Sequence, residues 1–170
     1  QSDMLREIGQ ALITAFNMGE LMDIAAASLP RLGIPSCYIS MYENPGAPAE
    51  WSRLIMADDE SGRVKLEPGG RRFPSRQLAP EGMLPDRRFS YVVEPLYFQQ
   101  DQIGFALFEV GPREGSVYEE LRGQLGSALE GAQLVRRVER RALQLQAAAG
   151  VSRAASSILE PDELTRQVVS

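Results

Sequence analysis

The chain has 170 residues, 44% of them apolar, enough for one compact domain of roughly 100 to 150 residues and an appendage. Its formal net charge of -5 argues against nucleic acid or an anionic membrane as a partner, since both need a basic face. One cysteine, Cys37, and no histidine exclude an internal disulfide and a Cys/His metal or catalytic pair, and the lone thiol fits a cytoplasmic setting.

Residues 4–16 place Met4, Leu5, Ile8, Leu12, Ala15 and Phe16 on one face of a predicted helix. Asn17 followed by Glu20 has the spacing of a capping box, so a second helix starts near Met18. It carries Leu21, Met22, Ile24, Ala25 and Leu29 until Pro30 and Gly33 stop it. In "SCYISMY", Cys37, Ile39 and Met41 alternate with Tyr38, Ser40 and Tyr42, the pattern of a strand covered on both faces. "EWSRLIMA" (50–57) is its expected antiparallel partner across the loop "ENPGAP". Residues 58–90 are rich in Pro and Gly and read as mostly irregular, with "RVKLE" able to add a strand.

Two apolar runs, 90–98 and 103–111, separated by the polar turn "QQDQ", predict a β-hairpin. Gly104 and Ala106 are expected on one face, where their small size lets a helix approach, with Ile103, Phe105 and Leu107 on the other. A long helix then runs from about Val117 towards Leu159, with Pro161 as its expected interruption. Leu121, Leu125, Ala128, Ala132 and Val135, continued by Val138, Ala142, Leu145 and Ala149, form a heptad-like stripe with one phase break at Val135. For residues 117–132 the plain reading is a helix that packs on the domain's own sheet. Beyond Val135, Arg136, Arg137, Glu139, Arg140 and Arg141 flank it, as on a helix that pairs with a second copy in a parallel homodimer.

Shifted by 143 residues, the end of the chain overlays its beginning: Ala154 falls on Ala11, Leu159 on Phe16, Glu160 on Asn17, Glu163 on Glu20 and Leu164 on Leu21. The expected organisation is a domain at 1–135, a coiled-coil-like linker at 136–159 and the start of a second, similar domain at 160–170, within a longer protein.

This order of elements resembles a GAF domain, the small-molecule-binding module of signalling proteins, over residues 4–135. The stretch "VVEPLYFQQDQIGFALFEV" is similar to the family's strand, turn and Gly-containing return strand before the exit helix. "LQAAAGVSRAASSILEPDELTRQVV" is similar to the start of further GAF domains in bacterial sensor proteins, upstream of a histidine kinase, a diguanylate cyclase or a transcription regulator. The resemblance implies an α+β fold: an antiparallel sheet of five to six strands, N-terminal and C-terminal helices packed on one face, and a loop-covered pocket on the other. The lid would come from residues 58–90.

The arginine cluster Arg71, Arg72 and Arg76, followed by Arg87 and Arg88, suits a carboxylate or phosphate, with a solvated loop as the plain alternative. Tyr38, Trp51 and Tyr91, with Tyr97 and Phe105, are candidate aromatic walls, although strand aromatics more often serve a core. The candidate ligand-binding set is Tyr38, Trp51, Arg53, Arg71, Arg72, Arg76 and Tyr91. Phytochrome-like members attach a bilin to a Cys in the lid or helix region and haem-binding members use an axial His; Cys37 sits in the first strand and there is no His, so neither cofactor is expected. Asp58, Asp59 and Glu60 precede Ser61 and Gly62 as in an exposed turn, and no catalytic group is expected. The expected role is a sensory domain that binds a small molecule or partner and signals through its paired exit helix to a histidine kinase. The alternative is a degenerate spacer without ligand, attached to a diguanylate cyclase or a transcription regulator.

Overall fold

The computed structural model describes residues 2–15 and 17–168, the side chains of 155–168 excepted. Helix α1 (Ser2–Ile13) buries Leu5, Ile8 and Leu12 along one stripe. Phe16, expected on the same stripe, lies outside the described residues. Helix α2 (Met18–Ser28) starts where the sequence places it: the Asn17 side-chain oxygen accepts the backbone N–H of Glu20 at 2.9 Å, satisfying one orphan donor of the first turn. Pro30–Leu32 forms a single 3-10 turn, and Gly33, at φ 77°, closes it in the left-handed region.

Six strands follow: β1 (Cys37–Tyr42), β2 (Trp51–Asp59), β3 (Gly62–Arg63), β4 (Arg71–Pro74), β5 (Tyr91–Phe98) and β6 (Asp101–Glu109). They form one antiparallel sheet of order β3-β2-β1-β6-β5, with β4 also paired to β2. This is the expected α+β architecture. The predicted alternation of β1 holds: Cys37 and Ile39 enter the core on the helix side, while Tyr38 enters the core on the opposite face.

Four details depart from the sequence reading. First, "RRFP" within the supposed lid is strand β4, because the outer edge of β2 offers it unpaired backbone groups. Second, only Arg63 of "RVKLE" joins a strand. Third, the β5–β6 turn is two residues, Gln99 and Gln100, since Phe98 already pairs with Asp101; Gln99 takes the positive φ of 52° that so tight a turn demands. Fourth, Leu96 pairs with Gly104 and Tyr97 with Gln102, leaving Ile103 as an extra residue. This bulge turns Ile103 into the helix-side core, away from Phe105 and Leu107. Similarly, Ile39 faces Met56 and Ser40 faces Leu54, so Ile55 is the extra residue on β2.

The small residue at Gly104 serves the sheet rather than a helix. A Cβ there would lie 2.1 Å from the Ser40 carbonyl oxygen on β1, a backbone atom that cannot give way. The close helix approach is provided from the helix itself, by Gly126, whose added Cβ would sit 2.9 Å from the Tyr97 carbonyl.

Helix α3 (Gly115–Val168) spans two compact units, 1–133 and 134–170. In the first unit it buries Val117, Tyr118, Leu121, Leu125, Ala128, Leu129 and Ala132 with the side chains of α1, α2 and the sheet. Each large aliphatic so buried contributes roughly 1.5–3 kcal/mol. The Gln124 amide donates to the Leu5 carbonyl at 2.9 Å, tying the last helix to the first. In the second unit the apolar residues whose side chains are described, up to Val151, are exposed, Val135 by 45% and Val138 by 62%. The α3 backbone continues through Pro161, where a stop is expected, although proline has no N–H to donate to the helix ladder. Leu159, Glu163 and Leu164, on which the repeat with the N-terminus rests, have side chains outside the described residues.

Candidate functional site

The sheet face opposite the helices is covered by residues 64–84, which fold back over it. Phe73 and Ala79 join Tyr38, Leu54, Ala57, Phe105 and Leu107 in a second, smaller core, with Val64, Leu66, Met83 and Leu84 packed around it. Ring contacts hold this layer: Phe73 meets Phe105 edge-on at 6.4 Å, and Tyr38 meets Tyr91 edge-on at 5.8 Å. The lid is therefore filled over its centre and open at its margins.

The larger opening is a groove of about 540 Å³ on this face. Its floor comes from alternate residues of the hairpin, Val93, Pro95 and Tyr97 on β5 and Phe105 on β6, with Tyr42 from the end of β1. Leu78 and Arg76 overhang it from the turn after β4. Val93, Tyr97 and Leu78 are 46%, 44% and 41% exposed, an unusual accumulation of accessible apolar surface. Gln102 donates to the Tyr42 hydroxyl at 2.8 Å, fixing the phenol at the groove's end. Burial pushes the Tyr42 hydroxyl above its ordinary pKa, partly offset by the Gln102 bond, so it stays protonated. Arg76 is exposed and makes no hydrogen bond or ion pair among the described residues.

The candidate ligand residues do not converge. Arg76 lines the groove; Tyr38 is fully buried and lines a smaller cavity near the other end of β1; Tyr91 lies beside it, its hydroxyl 3.0 Å from that of Ser36. Arg71 pairs with Glu67 at 3.2 Å on the surface. Trp51, Arg53 and Arg72 occupy the opposite face of the sheet. There the Arg72 guanidinium stacks 3.6 Å over the Trp51 ring, and Arg53 and Arg72 both pair with Glu43 at 2.9 and 3.0 Å. Strand alternation separates them: Trp51 and Arg53 flank Ser52 and Leu54, which face the lid.

Tyr42, Val93 and Gln102 were not singled out from the sequence, although Tyr97 and Phe105 were. Gln102 reads as turn until the two-residue loop places it in β6, and Val93 reads as core until β5 is seen to be the sheet's edge.

Of the nine candidate seam residues, Leu121, Leu125, Ala128 and Ala132 are buried in the domain's own core, which leaves no surface there for a partner helix. Val135, Val138, Ala142, Leu145 and Ala149 are exposed. Cys37 is fully buried on the helix side of the sheet; burial, then the charge of Asp58, pushes its thiol well above the ordinary range. Among the described residues no group of His, Cys, Asp and Glu is placed to hold a metal ion, and no helix is long and apolar enough to cross a membrane.

The chain matches no protein-family model and no curated protein sequence. Solved structures do match. The GAF domain of a phosphoenolpyruvate-protein phosphotransferase from Coxiella burnetii superposes with a TM-score of 0.55 at 14% identity, over 78% of this chain and 94% of that one. Residues 122 to 287 of a methyl-accepting chemotaxis protein give 0.53 at 15% identity, over 78% and 99%. The corresponding GAF domain from Acinetobacter gives 0.51 at 14% identity, over 79% and 95%. The fold is GAF-like: an antiparallel sheet between a helical layer and a lid.

Proposed function

We propose that the chain is a sensory module of a signalling protein, and that its groove takes a small molecule with a flat apolar body and one anionic group, a carboxylate or a phosphate. One observation carries this reading: the groove of about 540 Å³ is walled by apolar and aromatic side chains, and its one cationic lining residue, Arg76, has no partner among the described residues. Volumes of this order accommodate drug-sized ligands, and an arginine fork reads carboxylate or phosphate. The occurrence of the fold in a chemotaxis protein and in phosphotransferases accords with a regulatory role. Fold alone does not define the ligand.

The output runs through α3. Val135, Val138, Ala142, Leu145 and Ala149 keep heptad spacing, are exposed and are flanked by arginines, which favours a parallel homodimer through this helix. Ligand binding biases the register of the paired helices, and these act on an output domain of the histidine kinase class in a cytoplasmic, bacterial two-component protein, with a second GAF-like domain beginning at 160–170. A ligand shifts that equilibrium only by its difference in affinity for the two registers. The chain itself performs no catalysis in this reading. It takes neither bilin nor haem, given the inaccessible Cys37 and the absence of His.

The second reading, a dimerising spacer without ligand attached to a diguanylate cyclase or transcription regulator, is favoured by the filled centre of the lid, where Phe73 and Ala79 pack over the sheet.

Native mass spectrometry of the purified chain, with denaturing release of any small molecule, separates the two. A dimer with a defined added mass is expected; an unliganded dimer supports the spacer. The released compound should raise the melting temperature of the wild-type chain, since binding only the native state at 100 times Kd adds about 2.7 kcal/mol. Arg76→Glu should abolish that rise without altering the unliganded melt, and an unchanged rise would move the ligand out of the groove. Val138→Asp should yield monomers of unchanged fold, because the side chain is exposed within the chain; persistence of the dimer would remove the seam.

A further inference from the structure

The bulge at Ile103 delivers a polar side chain to the groove. Without it, strand alternation counted back from Phe105, which faces the lid, would put Ile103 on that face and Gln102 on the helix side. With Ile103 turned into the helix-side core, Gln102 pairs with Tyr97 and lines the groove instead. Bulges commonly re-aim a side chain beside a binding site.

There Gln102 meets Tyr42, its amide nitrogen donating to the phenol oxygen at 2.8 Å. The same nitrogen lies 3.4 Å from the Gly104 carbonyl, which can only accept. The two acceptors fix which way the amide is turned and leave its oxygen, Oε1, over. That oxygen accepts no hydrogen bond among the described residues, and the Tyr42 hydroxyl, having received Gln102, donates its own proton to none. Burial keeps this hydroxyl protonated, so it is a standing donor. Both side chains are partly exposed and both line the groove, where a ligand meets them. The wall around them is apolar, formed by Leu78, Val93, Pro95 and Phe105, and the Ser75 hydroxyl is engaged with that of Ser52 at 2.8 Å.

We infer that the Tyr42–Gln102 pair reads an amide edge, an N–H beside a C=O on a flat ring, in the compound that the groove takes. The Tyr42 O–H donates to the C=O, and Gln102 Oε1 accepts the N–H. A carboxylate at this point would face Oε1, and an ammonium would face the Tyr42 proton; only a neighbouring acceptor and donor satisfy both. A site built to pair such groups rejects an analogue that lacks one of them, because its own polar atom is then left unpaired. At about 30 Å³ for each water-sized group, the groove of about 540 Å³ has room for a fused bicyclic acid. This inference rests on the groove being the ligand site proposed above and adds a neutral recognition element to the apolar body and the anion.

The probe is 2-quinolone-4-carboxylate, a flat acid with one amide edge. Its N-methyl derivative keeps the ring, the C=O and the carboxylate but has no N–H, and serves as the control. Both are titrated into the chain by calorimetry at pH 7. The probe should saturate with Kd between about 10 and 500 µM, and N-methylation should weaken binding about tenfold, because Gln102 Oε1 loses its donor. In Gln102→Met, a side chain of similar length, the two compounds should bind within about threefold of each other, and saturation by the N-methyl compound shows the groove intact. Tyr42→Phe should weaken both by about three- to tenfold, since both keep the C=O. Equal binding of the two compounds to wild type, with both lost in Arg76→Glu, would overturn the amide assignment and leave the groove's anion reading standing. A preference that persists in Gln102→Met would also overturn it, as a steric effect of the methyl group. No saturation by either compound at about 10 mM would remove the groove as a site for a flat anion, and the amide assignment with it.

Discussion

The two faces of the sheet are built on different terms. Against the helices, aliphatic side chains from α1, α2 and α3 interlock with Ile39, Met56, Leu96, Ala106 and Phe108 in one continuous core. On the lid face the core is smaller and interspersed with polar groups. Ser52 and Ser75 bond each other at 2.8 Å, while the hydroxyls of Tyr38 and Ser40 are enclosed without partners, and cavities open at both margins. A sheet with one saturated face can leave the other incompletely packed, since stability is not distributed evenly over a structure and binding surfaces come from its weaker parts. The helix face holds the fold, and the lid face is where a ligand can act.

Matched truncations test that division most severely. Leu125, 1% exposed, sits in the helix-side core, whereas Val93, 46% exposed, forms the groove floor. Leu125→Ala should cost about 2–5 kcal/mol in urea denaturation through lost burial and the cavity left behind, and Val93→Ala less than about 1 kcal/mol. Equal losses would end the contrast between the faces.

A smaller effect is expected at the polar junction of the lid face with the lid. Glu109 is 6% exposed; its carboxylate accepts both Arg87 nitrogens and the Ser36 hydroxyl, joining the segment after the lid to the ends of β1 and β6. The Arg87 bonds, partly opposed by burial and aided by Ser36, hold the Glu109 carboxyl below its ordinary range. A carboxyl depressed by folding contributes stability that is fully present above its unfolded pKa, about 4.3, and is lost as pH falls through the lower folded value. Glu109→Gln should therefore lower stability at pH 7 by about 1–3 kcal/mol and flatten the acid limb of the wild-type profile below about pH 4.3. A variant with the same acid limb as wild type would show that the junction does not act through charge.

Much of the helix face was legible in the sequence, and little of the lid face. The stripe Leu5, Ile8, Leu12, the Asn17 cap and the alternation of β1 each repeat a local period that survives in isolation. β4 has no such signal: "RRFP" is short, charged and ends in proline, and becomes a strand only because β2 has an edge to offer. The extra residues Ile55 and Ile103 are ordinary in composition, yet each reverses which face its strand presents, so no alternation carried across them holds. Strand alternation likewise puts Arg72, four residues before Arg76, on the other side of the sheet with Trp51 and Arg53, while Arg76 lines the lid-face groove. The heptad stripe of α3 was ambiguous on its own terms, because packing on a sheet and packing on a partner helix require the same spacing. Burial decides it for Leu121 to Ala132.

The smallest expected effect is the most discriminating, because its sign is informative. Tyr38→Phe removes one oxygen from the lid-side core and leaves the ring, with its edge-on contact to Tyr91, in place. If the hydroxyl had a partner in the empty chain, its removal would cost about 1 kcal/mol, the net worth of an ordinary hydrogen bond. Enclosed and unpartnered, it instead carries a desolvation penalty, so the variant should be as stable as wild type or up to about 1 kcal/mol more stable in the absence of ligand. A loss of about 1 kcal/mol would instead assign the hydroxyl a partner within the chain, with Tyr91 and Ser36 as the polar groups beside it.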